Sequence, residues 1–357
     1  MTNEHLYTEA VNLLKDLIAI PSFSGCEEGT ASRIEKFLNG HGVRSMRRQN
    51  NIWAFNEHYD PGKPTVLLNS HHDTVKPNTG FRLDPFKPLE LDGRLYGLGS
   101  NDAGGALVSL IVTFLHFHPA ADLNYNLVLA ATGEEEISGR GGLESVLPLL
   151  GDLDFAVVGE PTGMELAIAE KGLMVLDVVV QGKAGHAARD EGENAIYKAI
   201  PIINWFKTYQ FERLSDLFGP VKMTVTIIEA GSQHNVIPET CKLTVDVRVT
   251  DVYTHEEILN IINAGCSAQV VPRSTRLKPS SISRDHPLVK AGIALGRKTY
   301  GSPTTSDQAL LSIPSLKIGP GDSARSHTAD EFIYLAEISE GIRIYIQMFT
   351  DLLAGKE

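Results

Sequence analysis

Only 3 cysteines occur in 357 residues, Cys26, Cys241 and Cys266, and no two of them form a C-x-x-C pair. That scarcity speaks against a disulfide framework or a thiolate zinc site, and for reduced thiols in a cytoplasmic protein. Positive charge is also short: 32 Lys and Arg against 44 Asp and Glu leave a net charge of −12. Such an acidic chain is a poor partner for nucleic acid or an anionic membrane. Long hydrophobic runs are missing. The longest, Ala106 to Phe117, holds Ser109, Thr113 and His116 and is too short to span a bilayer. The opening MTNEHLYTEAVNLLKDLIAI carries Glu4, Glu9, Lys15 and Asp16, so it reads as an amphipathic helix rather than a signal peptide. No internal repeat, phosphate loop of the G-x-x-x-x-G-K-[ST] type or G-x-S-x-G nucleophile elbow is present. The turn Gly97-Leu98-Gly99-Ser100-Asn101-Asp102 has Asp where a dinucleotide loop needs its third glycine. What remains is a cytoplasmic enzyme or binding protein.

The length suggests about two domains, and 42% hydrophobic with 21% charged residues supports a large buried core. In the first half, short apolar runs (TVLLNS from Thr65, NLVLAA from Asn126, FAVV from Phe155) alternate with helical patterns at Glu9–Ile20, Glu28–His41 and Ala103–Phe117. Apolar strands without two-residue alternation imply a sheet covered on both faces. From Gly172 the pattern changes to strand, helix, strand, strand, helix, weak strand. In the third strand Leu243, Val245, Val247 and Val249 alternate with Lys242, Thr244, Asp246, Arg248 and Thr250. The second helix has Thr254 and Glu257 spaced as a capping box, with Gly265 as its expected stop. That β-α-β-β-α-β order is the ferredoxin-like pattern. The expected architecture is a three-layer α/β/α domain with a mixed sheet, residues 1–171 and 280–357, interrupted by a ferredoxin-like α+β domain at 172–279.

Strand candidates of the larger domain run into potential metal ligands: His71-His72-Asp73, Glu134-Glu135-Glu136, Glu160 and His327, with Asp102 added by the turn before the apolar helix. Ligands of open α/β sheets gather beyond the carboxyl ends of strands. A carboxylate two residues after a histidine suits the other N–H of a metal-bound imidazole. Each feature has an ordinary reading: a surface histidine, a solvated acidic turn, a helix cap at Asp102. Together, two histidines and several carboxylates without thiolate suit zinc or a related ion. One bridging carboxylate would suit a pair of them.

These residues resemble the co-catalytic di-zinc aminoacylases and exopeptidases, a family that includes acetylornithine and acetyl-lysine deacetylases. The resemblance rests on SHHDTV, GLGSND, TGEEEISG, VVGEPT, GKAGHAA, NVIPE and GPGDSARSHTADE, in order along almost the whole chain. It implies two Zn2+ per subunit, replaceable by Co2+: one on His71 and Glu160, one on Glu136 and His327, bridged by Asp102. Asp73 would orient His71, and Glu135 would be the general base. It also implies a homodimer made by the inserted domain, with His186 donating to the scissile carbonyl of a partner's site. Asn235 and Arg248 would bind substrate, Arg248 through a bidentate grip on a carboxylate. Family members usually carry a bulky residue and a lysine after the bridging aspartate, where this chain has Ala103-Gly104-Gly105; the resemblance also implies a cis peptide between Asp102 and Ala103.

The expected reaction is hydrolysis of an N-acyl amino acid amide, N-acetyl- or N-succinyl-ornithine, -citrulline or -lysine, in arginine biosynthesis. Alternatives are a di- or tripeptidase or carboxypeptidase of the same family, and a catalytically inert metal-binding scaffold. Arg325, Ser323 and Lys171 are the candidates for meeting a succinyl carboxylate.

Overall fold

A computed structural model describes residues 2–353. The described residues divide into two compact units: 2–168, 281–300 and 306–353 form the first, and 169–280 with 301–305 form the second.

The first unit is built on a mixed sheet. Six of its nine described strands lie in the order Ser45–Arg48, Asn51–Phe55, Asn126–Thr132, Thr65–His71, Phe155–Val158, Ser315–Lys317, and the last four of these run parallel. Asn126–Thr132 and Thr65–His71 are buried at every position. Val66, Leu68, Leu127 and Leu129 face one core with Phe114, Tyr345 and Phe349 of the long helices Gly105–Phe117 and Leu335–Leu353. Leu67, Val128 and Ala156 face a smaller core with Trp53 and Leu143. Both faces are therefore apolar, which is why alternation is invisible in these strands.

Several boundaries differ from the sequence expectation for local reasons. The first helix starts at Asn3 rather than Glu9, because the Thr2 hydroxyl caps it by accepting from His5 N–H. The apolar helix starts at Gly105, not Ala103. Residues Ser100–Gly104 form a separate wide turn in which Asp102 and Ala103 leave helical geometry. Gly99, at φ 75°, opens that turn, and a side chain there would meet Thr74 Cγ2 at 2.6 Å.

The second unit holds an antiparallel sheet in the order Lys222–Ala230, Thr240–Val249, Gly172–Gln181, Gln269–Pro272. Met174, Leu176, Val178, Val245 and Val247 pack under the helices Ala195–Thr208 and His255–Gly265. The capping box at Thr254 and Glu257 is formed. Gly265 is the last residue of its helix, as expected, and Cys266 after it is extended. A Cβ at 265 would lie 2.5 Å from the Trp205 ring, so glycine is required there by packing. Thr250, expected on the polar face, is fully buried.

Candidate metal centre

His71 ends the Thr65–His71 strand and is 1% exposed. Its Nδ1 lies 3.0 Å from the main-chain oxygen of Asp73 and 3.4 Å from that residue's carboxylate. The nearer carbonyl is the hydrogen-bond acceptor and fixes the proton on Nδ1, leaving Nε2 as a donor atom for a metal. Around Nε2 stand Asp102 Oδ1 at 3.3 Å, Glu160 Oε1 at 3.7 Å and Glu135 Oε2 at 3.9 Å. Nε2 nevertheless makes no well-aligned hydrogen bond to any of them. A buried ring nitrogen that faces carboxylates without bonding to them fits a cation seated between the groups.

The ligand atoms of His71, Asp102 and Glu160 all lie within 4.8 Å of one another, and so do those of Asp102, Glu136 and His327. Asp102 belongs to both groups. His327 Nε2 is 2.9 Å from Glu136 Oε2 and 3.7 Å from Asp102 Oδ2. The Asp102–Ala103 peptide is cis.

Burial and the surrounding carboxylates set the proton affinities. Burial, opposed by His71 and reinforced by Glu160, Asp307 and Glu136, holds the Glu135 carboxyl well above its ordinary value. For His71, burial alone would lower the imidazolium, but Asp102 and Asp73, then Glu135 and Glu160, raise it well above its ordinary value. The hydrogen bond to Glu136 chiefly raises His327, to about 9.

The other predicted residues sort out by their partners. His72 is buried with Nε2 against the Asn50 carbonyl and Nδ1 against the Thr30 hydroxyl, both at 2.9 Å, so neither nitrogen faces the cluster. Glu134 accepts from Gly141 N–H at 2.9 Å, which commits its carboxylate to the turn. The Asp73 carboxylate receives the N–H groups of Glu135 and Glu136 and the Ser24 hydroxyl. It thus positions the glutamate turn as much as the imidazole. Arg325 pairs with Glu337 at 2.6 Å and stacks on Phe332 and Tyr334, so it is not a free cation for an acyl carboxylate. In the second unit, His186 pairs with Val236 across a two-residue ladder, and Ala187 N–H donates to Asn235 O, which brings His186 and Asn235 together. Arg248 gives Nε and Nη2 to Asp246, and its Nη1 points to Thr305 Oγ1 at 3.4 Å.

Glu331 and Glu27 are among the buried carboxylates that sequence reasoning missed. Glu331, 2% exposed, accepts the N–H groups of Gly99, Asn101 and Asp102, tying the loop after His327 to the Asp102 turn. Burial raises its carboxyl to about 7. Its signal was the closing Glu of HTADE, quoted as motif but given no role. Glu27, fully buried, accepts from Gly25 and Glu134 N–H and from the Asn50 side chain. Nothing local marks it.

The mixed α/β fold and this centre define a metal-dependent hydrolase. A model described as peptidase family M20/M25/M40 matches residues 67–351, and the chain belongs to that family. It is 27% identical over 361 residues to an acetylornithine deacetylase of Proteus mirabilis, covering 92% of each chain. It is 25% identical to a probable carboxypeptidase of Emericella nidulans, over 96% of this chain and 89% of that one. A Bacillus subtilis protein described as a dinuclear metal binding peptidase shares the fold, with a TM-score of 0.71 at 17% identity over 99% of this chain and 100% of that one.

Proposed function

We propose that the protein hydrolyses the amide bond of N-acyl amino acids, N-acetyl- or N-succinyl-ornithine, -citrulline or -lysine, as a cytoplasmic step of arginine biosynthesis. One observation carries the reading: two ligand groups share Asp102, with Glu135 beside them. His71 and Glu160 would hold one Zn2+, Glu136 and His327 the other, and Asp102 would bridge, with Co2+ as a substitute. Bound there, such a pair would polarise a carbonyl and make water a stronger acid.

The chain's own residues then account for the proton. Glu135 takes it from the attacking water and passes it to the leaving amine. A carboxylate with raised proton affinity suits both halves of that transfer. Asp73 keeps Glu135 and Glu136 in register by accepting both of their N–H groups. His186 would donate to the developing oxyanion across a homodimer. The sheet edge Lys222–Ala230, with Ile227 and Ile228 exposed, and Tyr197 and Ile200 on the neighbouring helix supply an apolar surface for that dimer. Asn235 and Arg248 would bind the substrate carboxylate, Arg248 through its Nη1 side, since Asp246 occupies the other edge.

The similarity to an acetylornithine deacetylase over most of both chains supports a deacylase. The carboxypeptidase relative supports a second reading, cleavage of an unblocked peptide at its C-terminal residue. Zinc-loaded protein offered N-acetyl- and N-succinyl-ornithine, -citrulline and -lysine, with a dipeptide panel alongside, decides between them. Amine release from an N-acyl substrate is expected. Release from dipeptides alone would replace the reading with the peptidase.

A further inference from the structure

Positive charge is scarce in this chain, yet three cations meet at one end of the second unit's sheet. Lys222 and Arg248 are direct partners on adjacent antiparallel strands. Like charges so opposed destabilise a sheet. Arg248 is also the partner of Leu173 on the next strand, and Lys171, just before that strand, is close enough to Lys222 and Arg248 to feel both charges. Thr305 joins them: its hydroxyl bonds the Lys171 carbonyl and receives Arg248 Nη1, each at 3.4 Å. The Lys171 ammonium stands 5.5 Å from the Phe218 ring. This is the face opposite the two helices.

The rest of that face shows how charge is ordinarily balanced. Farther along, Arg273 and Asp177 form a pair at 2.8 Å. At the cationic end Asp246 serves Arg248. Neither Lys171 nor Lys222 makes an ion pair among the described residues. Glu170, next to Lys171, is fully buried. Burial, then Lys222 and Arg248, lower the Lys171 ammonium, as expected of a cation held beside others. With the Arg248–Asp246 pair neutral overall, two positive charges remain, enough for two carboxylates.

We propose that Lys171 and Lys222, beside Arg248 and Thr305, form a dicarboxylate subsite, so that the substrate carries a second carboxylate besides the α-carboxylate. This rests on Arg248 binding the substrate carboxylate in the proposed deacylase. The second carboxylate has two chemical sources, a dicarboxylic acyl group or an acidic amino-acid side chain. A cationic side chain such as that of ornithine is the group such a cluster least favours.

The test compares kcat/KM for N-succinyl- against N-acetylcitrulline, and for N-acetylglutamate against N-acetylglutamine, in wild type, Lys171→Met and Lys222→Gln. One ratio should exceed tenfold in wild type, and whichever it is names the source. Each variant should cut that ratio by about tenfold, with KM carrying the change. Calorimetry on the zinc-loaded protein forms the second arm, with glutarate against butyrate as probes. Glutarate should bind more tightly, and both variants should erase the difference. If no substrate is turned over, the deacylase reading fails while calorimetry still decides the subsite. Two flat ratios in an active enzyme, ratios the variants leave unmoved, or, where nothing is turned over, equal affinity for the two acids would overturn the subsite.

Discussion

The two units handle charge in opposite ways. In the first, Asp102, Glu135 and Glu160 crowd around the buried His71, and Glu136 joins Asp102 and His327. In the second, Lys171, Lys222 and Arg248 share one end of a half-exposed sheet face. Each is an excess of one sign that the fold does not balance by itself. Such an excess is unfavourable unless something of opposite sign arrives. One unit is thus prepared for cations and the other for anions, and the formal charge of −12 conceals both. Burial separates them in magnitude: the carboxylate cluster is far less screened than the exposed cations.

The largest expected effect tests the chemical end of the contrast. Glu135→Gln should lower kcat by about 10²–10⁴-fold, with metal content by atomic emission unchanged. Loss of metal along with activity would instead make Glu135 a ligand. Next comes the bridge. Asp102→Asn should lose at least one metal per chain and most of the thermal stabilisation that added zinc gives wild type. Ligand binding at a hundredfold excess over Kd is worth about 2.7 kcal/mol. Unaltered stoichiometry would remove Asp102 from both groups.

In the second unit, Arg248→Lys should raise KM by roughly 10–100-fold, the scale of a lost charge-assisted hydrogen bond. A purely structural Arg248 would show a lower melting temperature at unchanged KM. The smallest effect concerns His255. Its Nδ1 bonds the Thr275 carbonyl, and burial lowers its imidazolium below the ordinary value. Lowered in the folded state, it takes up more protons when unfolded, so its contribution is present above about pH 6.5 and lost as pH falls below it. Urea melts from pH 7 to 5 should therefore show a shallower loss in His255→Gln than in wild type. Equal slopes would mean that His255 titrates normally.

The sequence was most readable where local chemistry decides. The capping box at Thr254 and Glu257 and the alternation of Leu243, Val245 and Val247 follow from short-range rules and are found as expected. The candidate ligands His71, Asp102, Glu136, Glu160 and His327 also lie together, whereas His72 and Glu134 are held elsewhere. Less readable were features set by distant partners. Gly265 ends its helix as read, but the packing that also demands glycine there was hidden, because the Trp205 ring that excludes a side chain is 60 positions away in sequence. Glu331 and Glu27 bond main-chain N–H groups on remote turns, which leave no pattern in neighbouring residues. Arg325 looked free because its partners, Glu337 and two aromatic rings, lie on the following strand and helix.

The paired use of Asp102 is the center of this account, and anomalous scattering from zinc-loaded crystals tests it most directly. The account predicts two zinc peaks per chain, one among His71, Asp102 and Glu160 and one among Asp102, Glu136 and His327. A single peak at full occupancy, or two peaks that do not share Asp102, would contradict it.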